Sequence, residues 1–370
     1  CSLPAHSILV DLTPPNCTLI RDRIGGKDAP PFFSTRAGLA TRWACHDPES
    51  SVAFSRWMPY ELAPDQTQHR ALLTRKLDSA GGNGAGATAV HLVQGARYFS
   101  CVTAVNRAGL FAPNLCSPGA VFDGTPPAMG FIRDGSGLRY QSVSHTACAL
   151  WGPMIDIESG VSRITWELHE IYGDVETQLA TATWDEETAD SLATYSAGGA
   201  FCQDIDPPLE HGKHYASRLT VWNNAVPSLG SRVTARGFTV DHTPPTSGTA
   251  TLRVVFPHGF DSQAGFSASP PTINGLVIRV ILDGFEDVES RIEHIAIRVY
   301  ADGVLISEGN APFPAEVFDS LPLTLANGTS IAVDAVPYNY AALGGPMVVS
   351  EPELVLVSDI QVRDPWLADG

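Results

Sequence analysis

Apolar and polar residues alternate with a period of two in many short runs along the chain. Examples are GLATRWA at 38–44, ARYFSCVTAV at 96–105, RLTVW at 218–222 and EHIAIRVY at 293–300. Successive side chains of a strand point to opposite faces, so this alternation is typical of half-buried strands. Helical periodicity is weak and is confined to stretches near 68–77 and 184–194. The pattern therefore predicts an all-β protein.

One spaced set of residues, Leu, Gly, Tyr or Ile, and Asn, occurs three times with unchanged spacing. It stands at 92, 95, 98 and 106, at 209, 212, 215 and 223, and at 325, 328, 331 and 339. A second marker, Asp-x-Thr-Pro-Pro, ends at Pro15, Pro127 and Pro245, which gives periods of 112 and 118 residues. Proline has no amide hydrogen for a strand ladder, so each marker ends one strand and stiffens the entry to the next.

Each period has the length of one sandwich domain. We therefore predict three tandem seven-stranded antiparallel β-sandwiches arranged in a rod, here called repeats 1, 2 and 3. Repeat 1 is expected at 11–122, repeat 2 at 123–240 and the more divergent repeat 3 at 241–360. Residues 1–10 are interpreted as the end of a preceding repeat, and residues 361–370 as a linker to the next module. We accordingly expect a segment of a larger protein.

The charge of the chain restricts its partners. The formal net charge is −17 and the pI is about 4.9, so the average surface repels a phosphate backbone and nucleic acid is not an expected partner. The lysines are only Lys27, Lys76 and Lys213, which excludes a polybasic membrane patch. No apolar run reaches the ~18 residues that a membrane span needs. We expect no direct membrane insertion in this segment.

Seven cysteines stand at 1, 17, 45, 101, 116, 148 and 202, none of them in a C-x-x-C pair. Their spacing favours disulfides over zinc or redox chemistry. The triplets NCT at Asn16 and NGT at Asn327 fit the acceptor pattern for N-glycosylation. Together these features predict a secreted or cell-surface location.

The repeated set resembles the fibronectin type III signature, within the broader immunoglobulin-like class. Leu, Gly and Tyr match the corner between strands E and F, where a phenol hydroxyl bonds back to the main chain. The text VTAVNRAGLFAPNLCS at 102–117 is similar to strand F and the F–G loop of that family. Trp43 and Trp151 stand where the family places its strand B tryptophan. Repeat 3 departs from the pattern, since Ile331 replaces the tyrosine and no cysteine is present.

The resemblance implies strand positions, and these imply pairings for the cysteines. Cys101 on strand F would bond Cys116 on strand G, and Cys148 on strand B would bond Cys202 on strand E. Cys17 on strand A would bond Cys45 on strand B, which leaves Cys1 to a partner in a preceding repeat. The alternative is a bridge between the sheets from Cys45 to Cys101, because spacing alone does not fix connectivity.

A third repeated element, Asp-x-Glu-Ser, begins at 47, 156 and 287, between strands B and C of the implied topology. In such a sandwich the B–C loop, the F–G loop and the incoming linker share one end. Carboxylate and amide oxygens are calcium ligands, so a calcium ion could stiffen each junction. The alternative is that these side chains cap turns. The candidate ligands are Asp11, Asp47, Glu49 and Asn106, then Asp123, Asp156, Glu158 and Asn223, then Asp241, Asp287, Glu289 and Asn339.

Motifs for catalysis are sparse. GGNGAG at 81–86 lacks the Lys-Ser/Thr of a phosphate-binding loop, so a flexible hairpin loop is the better interpretation. His211 and His214 have a metal-like spacing, but they fall on the predicted E–F corner, where turn residues are expected. Trp57 and Trp166 keep register with the strand pattern and are predicted core residues rather than sugar platforms. We expect no enzyme and no cofactor apart from the calcium considered above.

The predicted role is structural: a disulfide-stapled rod that spaces modules or packs into an extracellular fibre, of the matrix-filament or flagellar-hair type. Its expected partners are neighbouring repeats, further copies of itself or another extracellular protein. One alternative is an adhesion or receptor ectodomain that binds a protein or glycan through its loops. A second is a set of accessory modules of a secreted hydrolase. A shared fold cannot choose among these roles.

Overall fold

The fold is taken from a computed structural model of the 370-residue chain. The structure describes residues 10–36, 38–65, 69–73, 77–79, 83–87, 90–135, 137–255 and 272–356. Cys1, most of the predicted 1–10 segment and the predicted linker at 361–370 lie outside these residues.

The strands of repeat 1 form two sheets. They are β1 (Asn16–Ile24), β2 (Lys27–Asp28), β3 (Phe32–Phe33), β4 (Leu39–His46), β5 (Val52–Leu62), β6 (His69–Ala71), β7 (Leu77–Ser79), β8 (Gly84–Ala87), β9 (Arg97–Asn106), β10 (Leu115–Cys116) and β11 (Ala120–Phe122). One sheet has the order β2-β1-β4-β8, and the other has the order β3-β11-β9-β5-β6, with β10 also beside β9 and β7 beside β5.

Repeat 2 has a similar arrangement of sheets and also contains a helical segment. The strands are β12 (Ala128–Met129), β13 (Ile132–Asp134), β14 (Tyr140–Gln141), β15 (Thr146–Trp151), β16 (Met154–Ile155), β17 (Val161–Tyr172), β18 (Val175–Trp184), β19 (Gly199–Asp204), β20 (His214–Asn223), β21 (Gly230–Thr234) and β22 (Phe238–Val240). The sheets run β13-β15-β19 and β14-β22-β20-β17-β18, with β21 beside β20, and β12 pairs with β16. A 3-10 turn (Glu186–Thr188) leads into helix α1 (Ala189–Ser196).

The strands of repeat 3 are β23 (Thr249–Val255), β24 (Thr272–Asp283), β25 (Ile292–Ala301), β26 (Val304–Pro312), β27 (Val317–Asp319), β28 (Leu323–Ala326), β29 (Ser330–Asn339), β30 (Val348–Val349) and β31 (Glu353–Leu354). They again form two sheets, β23-β24-β27 with β28 beside β24, and β26-β25-β29-β30 with β31 beside β29. The predicted all-β class is confirmed, and the buried apolar clusters fall within these three stretches of chain.

Two short strand pairs depart from the predicted antiparallel arrangement. β3 pairs with β11 in parallel, and β14 pairs with β22 in parallel. In both repeats a two-residue strand near the start of the repeat, β3 or β14, lies at the edge of the second sheet beside the last strand of that repeat.

GGNGAG was predicted to be a loop, but this is wrong for the part that the structure describes. Gly84–Ala87 form strand β8, antiparallel to β4. A Cβ atom at Gly84 would lie 3.1 Å from the Thr41 carbonyl oxygen, and one at Gly86 would lie 3.3 Å from the Ala40 Cβ. The glycines thus allow two backbones to approach closely rather than supplying flexibility.

The cysteines pair across neighbouring strands of one sheet. Bonds join Cys17 to Cys45, Cys101 to Cys116 and Cys148 to Cys202, with Cα atoms 4.0, 4.1 and 4.0 Å apart respectively. These are the pairs that the family resemblance implied, and the alternative Cys45–Cys101 bridge does not form.

The corner that carries the repeated leucine and glycine is held in two ways. Tyr98 Oη accepts the Val93 amide at 2.7 Å, and Tyr215 Oη accepts the Glu210 amide at 2.8 Å, as a tyrosine corner requires. In repeat 3, Ile331 is fully buried and supplies packing alone. In all three repeats the amide of the corner glycine donates a hydrogen bond to a main-chain carbonyl near the C-terminal end of the same repeat. The donors and acceptors are Gly95 to Phe122, Gly212 to Val240 and Gly328 to Val355.

Four of the tryptophans lie in the cores of repeats 1 and 2. Trp57 and Trp166 are fully buried, so their interpretation as core residues is correct. Trp43 and Trp151 on β4 and β15 are buried as well. Each of the four fills space between the two sheets of its repeat, and none forms an exposed sugar platform.

Candidate functional site

Three loops of repeat 1 meet at one polar cluster, which we call the loop clip. Asp11 comes from the incoming linker, Asp47 from the loop between β4 and β5, and Asn106 from the end of β9. The Asn106 amide nitrogen lies 2.8 Å from Asp11 Oδ2 and 3.1 Å from Asp47 Oδ2. It also donates to the Thr13 carbonyl at 3.0 Å. One buried amide therefore joins linker, B–C loop and F–G loop.

The clip recurs in the other repeats at the predicted positions. In repeat 2, Asn223 donates to Asp123 Oδ2 at 2.8 Å. In repeat 3, Asn339 donates to Asp241 Oδ2 and to Asp287 Oδ2, each at 3.0 Å. The asparagine and the linker aspartate are almost completely buried in each of these copies. The repeated residues thus serve to hold the two loops on the linker.

The serine of Asp-x-Glu-Ser completes the clip. Ser159 Oγ donates to Asp123 Oδ2 at 2.6 Å, and Asp156 Oδ1 accepts the amides of Ser159 and Gly160 at 2.8 and 2.9 Å. Asp156 Oδ2 is buried and has no hydrogen-bond partner among the described residues. Repeat 2 therefore lacks the bond that its asparagine would make to the B–C loop aspartate in repeats 1 and 3.

The orientation of the asparagine bears on the calcium prediction. Asn106 Oδ1 accepts the Leu110 amide at 2.8 Å, so turning the side-chain amide over would set its NH2 group against an N–H donor. Asn223 and Asn339 are fixed in the same way, by Leu229 and Leu343. Each asparagine thus presents nitrogen, not oxygen, to the carboxylates. As placed here, the three predicted asparagine ligands are hydrogen-bond donors and do not fit a calcium ion.

The carboxylates themselves do come together. Asp11, Asp47 and Glu49 place one oxygen each within 4.8 Å of one another, and Asp123, Asp156 and Glu158 do the same. Oxygen ligands at this spacing suit calcium, whose bonds to oxygen are about 2.3–2.6 Å long. Calcium binding by these oxygens stays a prediction.

Hydrogen bonds set the charge state of the B–C loop aspartate in repeat 1. Burial alone would raise the pKa of Asp47, but bonds from Ser50, Asn106, Ser51 and Glu49 outweigh burial and hold that pKa below its ordinary value. The clip of repeat 1 therefore favours the ionised form of Asp47.

The residue that follows Asp-x-Glu-Ser has a left-handed backbone in every repeat. It is Ser51 with φ of 68°, Gly160 with φ of 75° and Arg291 with φ of 65°. The amide of each of these residues bonds to the clip aspartate of its own loop. This conformation costs a residue with a side chain more than it costs glycine, so the clip bond holds Ser51 and Arg291 in it.

The clips of repeats 2 and 3 are each contacted by one side chain from the repeat before, and the sequence did not predict either contact. Gln94 stands just before the corner glycine of repeat 1 and donates to Asp123 Oδ1 at 2.9 Å and to Thr125 Oγ1 at 2.8 Å. It also accepts the Gly124 amide at 2.8 Å. The available signal was its place in the repeat, one residue before the corner glycine.

His211 occupies the equivalent place in repeat 2. Its Nδ1 accepts the His242 amide at 3.1 Å and lies 3.7 Å from Asp241 Oδ1, while its Nε2 lies 3.5 Å from Glu289 Oε1. Because Nδ1 accepts a hydrogen bond, Nε2 carries the hydrogen of the neutral ring and has no lone pair for a metal. His214 instead pairs with Thr239 Oγ1 at 3.3 Å. The ring of His211 thus links repeat 2 to repeat 3 through hydrogen bonding.

Repeats 1 and 2 are also joined by main-chain bonds that no motif predicted. The Ser34 amide donates to the Val226 carbonyl at 3.3 Å, and the Val226 amide donates to the Phe32 carbonyl at 3.2 Å. Ser34 Oγ reaches the Pro227 carbonyl at 2.5 Å. The F–G loop of repeat 2 therefore extends the edge of repeat 1 next to β3.

Two aspartates with raised pKa values lie outside the clips: Asp134, which is buried, and Asp22, which is half-buried. Asp134 accepts the amides of Ser217 and Gly237 at 2.9 and 3.0 Å, and its burial raises its pKa above the ordinary value. Burial likewise raises the pKa of Asp22, against hydrogen bonds from Ser117 and neighbouring hydroxyls. The triplet Ile-Arg-Asp at 20–22 and again at 132–134 was the available sequence signal.

The glycosylation candidates differ in exposure. The side chain of Asn16 at the start of β1 is exposed, whereas that of Asn327 is half-buried beside the corner of repeat 3. No helix among the described residues is long and apolar enough to cross a membrane.

Comparisons with known proteins give likeness at the level of fold. No family model matches the sequence, and no curated protein is similar to it. The FN1–FN3 domains of chicken CNTN1 are 14% identical with a TM-score of 0.36, over 93% of this chain and 97% of that one. Domains A168–A170 of titin are 12% identical with a TM-score of 0.38, over 92% and 99%. A Ca2+-stabilised ice-binding adhesin of an Antarctic bacterium is 11% identical with a TM-score of 0.30, over 91% and 73%.

TM-scores this low carry no argument about function. The strand order, the tyrosine corners and the repeated clip nevertheless define the class of protein: the chain consists of fibronectin type III-like or immunoglobulin-like β-sandwich repeats in tandem.

Proposed function

We propose that the chain is a non-enzymatic structural segment of a larger extracellular protein, which holds successive modules at a fixed spacing or packs into a fibre. The observation that carries this proposal is the junction between repeats 1 and 2. Gln94 grips the linker, Ser34 and Val226 continue a strand edge across the junction, and Asp123 fastens the linker to repeat 2. Domains without a large apolar interface move relative to one another by default, and these bonds across the junction would restrict that motion.

The disulfides support the extracellular part of the proposal. Disulfides form and persist in oxidising compartments, and three of them join neighbouring strands here. The exposed Asn16 acceptor fits the same location.

Small-angle X-ray scattering on the full chain tests the spacer role. The wild type is expected to be elongated, with a narrow distribution of end-to-end distances. Replacing both Gln94 and Ser34 with alanine removes side-chain bonds across the junction and should broaden that distribution. Gln178→Ala on the exposed strand β18 is the matched control. A compact wild type, or a double variant that is identical to it, would contradict the proposal.

Calcium is tested separately, by sedimentation velocity with calcium and then with a chelator. If Asp11, Asp47 and Glu49 bind calcium, the chelator should lower the frictional coefficient or the stability of repeat 1, and Glu49→Gln should abolish that difference. An identical sedimentation profile in both buffers would contradict calcium binding at this clip.

A further inference from the structure

Repeat 2 carries an arginine groove, made of Arg133, Arg139 and Arg236. It opens where the first stretch of the repeat crosses from β13 to β14, beside Gly237 and His214. All three arginines are exposed residues. Among the described residues none of them forms an ion pair with a carboxylate; Arg133 only stacks over the Phe131 ring, 5.1 Å from its centre. In a chain of net charge −17, three unpaired arginines in one groove are an unusual concentration of positive charge.

Asp134 is the carboxylate that lines this groove, and it does not neutralise the arginines. It is 5% exposed, and its two oxygens accept the amides of Ser217 and Gly237. The groove therefore presents its positive charge to whatever docks there.

The same repeat carries an exposed acidic turn, made of Glu186, Glu187 and Asp190. Asp185 caps its first turn by accepting the Glu187 amide at 3.1 Å, so the backbone of the turn is fixed. None of the three carboxylates has an ion-pair partner in the part of the chain that the structure describes. Arg163 lines the same surface, but its guanidinium stacks on Trp222, 4.0 Å from the ring centre.

The two charged features lie at opposite ends of strand β20. The acidic turn shares its surface with Trp222 and Asn223, at the end of the strand, whereas the arginine groove lies beside His214, at its start. Ten residues of strand span about 30 Å. The turn and the groove of one repeat 2 are therefore too far apart to meet each other.

We propose that the acidic turn of one chain docks in the arginine groove of a second copy. Each carboxylate of the turn would form an ion pair with one arginine of the groove, because the planar guanidinium group can donate two hydrogen bonds to a carboxylate. Because a chain uses a different surface on each side, the contact is heterologous and does not close by itself, so copies add in a line. Neighbouring chains would lie side by side, displaced by about 30 Å. This inference rests on the proposed structural role and identifies the partner as a second copy.

Charge reversal tests the inference by sedimentation velocity on the full chain, in dilute buffer and in about 0.5 M salt. One variant reverses the groove, with Arg133, Arg139 and Arg236 all replaced by Glu. The other reverses the turn, with Glu186, Glu187 and Asp190 all replaced by Lys. We expect the wild type to associate in dilute buffer and to dissociate in salt. Each variant alone should remain monomeric, and an equimolar mixture should associate again.

A third variant controls for net charge. Replacing the exposed arginines Arg42, Arg107 and Arg253 with Glu changes the charge of the chain by the same amount, away from both surfaces, and should leave association intact. Hydrogen-exchange protection of each substituted repeat verifies that every variant is folded. A wild type that is monomeric in dilute buffer, or a mixture that stays monomeric, overturns the inference.

Two further readouts separate the explanations. If polygalacturonate binds the groove while the wild type remains monomeric, the groove is a site for an anionic polysaccharide and the inference is wrong. If the chain is monomeric but elongated by X-ray scattering, self-docking fails while the spacer role stands. If it associates as expected but proves flexible and compact as a monomer, the docking stands and the spacer role fails.

Discussion

Repeats 1 and 2 differ from repeat 3 in what holds the same sandwich together. The first two have disulfides, tyrosine corners and buried tryptophans, whereas the described part of repeat 3 has none of these. The core of repeat 3 consists almost wholly of isoleucine, valine, leucine and alanine. Similar sandwiches are thus stabilised by polar and covalent links in repeats 1 and 2, and by close aliphatic packing in repeat 3.

The register of the strands extends this contrast to a buried carboxylate. In repeat 2, Asp134 lies opposite Ala149 on the neighbouring strand, two residues after the Ile132–Trp151 pair. In repeat 3 the equivalent place, opposite Val280, belongs to Leu252. A buried aspartate that needs several donors has been exchanged for a leucine that needs none. Stability in repeats 1 and 2 should therefore depend on redox state and pH, and stability in repeat 3 on packing.

The largest expected effect is the loss of a disulfide. Replacing Cys148 and Cys202 with alanine opens a loop of 54 residues and should destabilise repeat 2 by about 3–4 kcal/mol. Hydrogen exchange resolved by peptide should show that amide protection is lost in repeat 2 and is unchanged in repeat 3. Equal loss in both repeats would mean that they unfold as one unit.

Next in size is the clip. Asn339→Leu removes the donor that two aspartates of repeat 3 share and should cost about 2–3 kcal/mol, since Asp241 is fully buried and Asp287 is half-buried. Asn223→Leu should cost less, because Asn223 bonds to only one of its two clip aspartates. Thermal unfolding of the two variants decides the order, and the reverse order would contradict the geometry described above.

Loss of a corner hydroxyl comes third. Tyr215→Phe removes the bond to the Glu210 amide and should cost about 1 kcal/mol by urea denaturation. Tyr172→Phe, at an 80% exposed position in the same repeat, is the control and should be neutral. If both variants are neutral, the corner is held by the Gly212 main-chain bond alone.

A smaller effect, of the opposite sign, is expected at the left-handed position of the clip loop. Arg291→Gly should stabilise repeat 3 by about 0.5–1 kcal/mol, because glycine adopts this conformation at lower cost. Gly160→Ala should destabilise repeat 2 for the same reason. Thermal unfolding measures both changes, and two changes of the same sign would exclude backbone strain as their cause.

The smallest effects concern pH. The raised pKa of Asp134 means that its contribution to stability is complete below the unfolded value near 3.8 and is lost as pH rises through the folded pKa. Asp47 has the opposite sign: its lowered pKa gives stability above that value, which is lost as pH falls through the folded pKa. NMR titration of the carboxyl carbons should give a pKa above 3.8 for Asp134 and a pKa below 3.8 for Asp47. A shared midpoint would mean that the two environments are equivalent.

Most of the fold could be predicted because its signals are periodic. The spacing from Leu92 to Asn106 recurs in three copies, and the family topology that it implied gave all three cysteine pairs. The clip residues could also be predicted, since Asp-x-Glu-Ser and the final asparagine keep their places. The role of the asparagine could not, because only the positions of the neighbouring amides show that its nitrogen faces the carboxylates.

Contacts between repeats were beyond reach for a different reason. Gln94 and His211 share a place in the repeat but not a residue type, and Ser34 meets Val226 across 192 positions of sequence.

The two stretches of weak helical periodicity had different outcomes. The weak stretch near 184–194 overlaps α1, whereas the described part of the stretch near 68–77 contains strand β6. Local periodicity cannot settle either case, because packing against the rest of the sandwich decides the outcome.

The placement of the disulfides also determines how the chain would respond to mechanical tension. A bonded loop cannot lengthen when its sandwich unfolds, so repeat 2 would hold back the 54 residues between its cysteines, or about 190 Å of extended chain. Repeat 1 would hold back loops of 28 and 15 residues. Repeat 3 has no cysteine and would release its full contour length. Under load, the aliphatic repeat would act as the extensible element between stiffer neighbours.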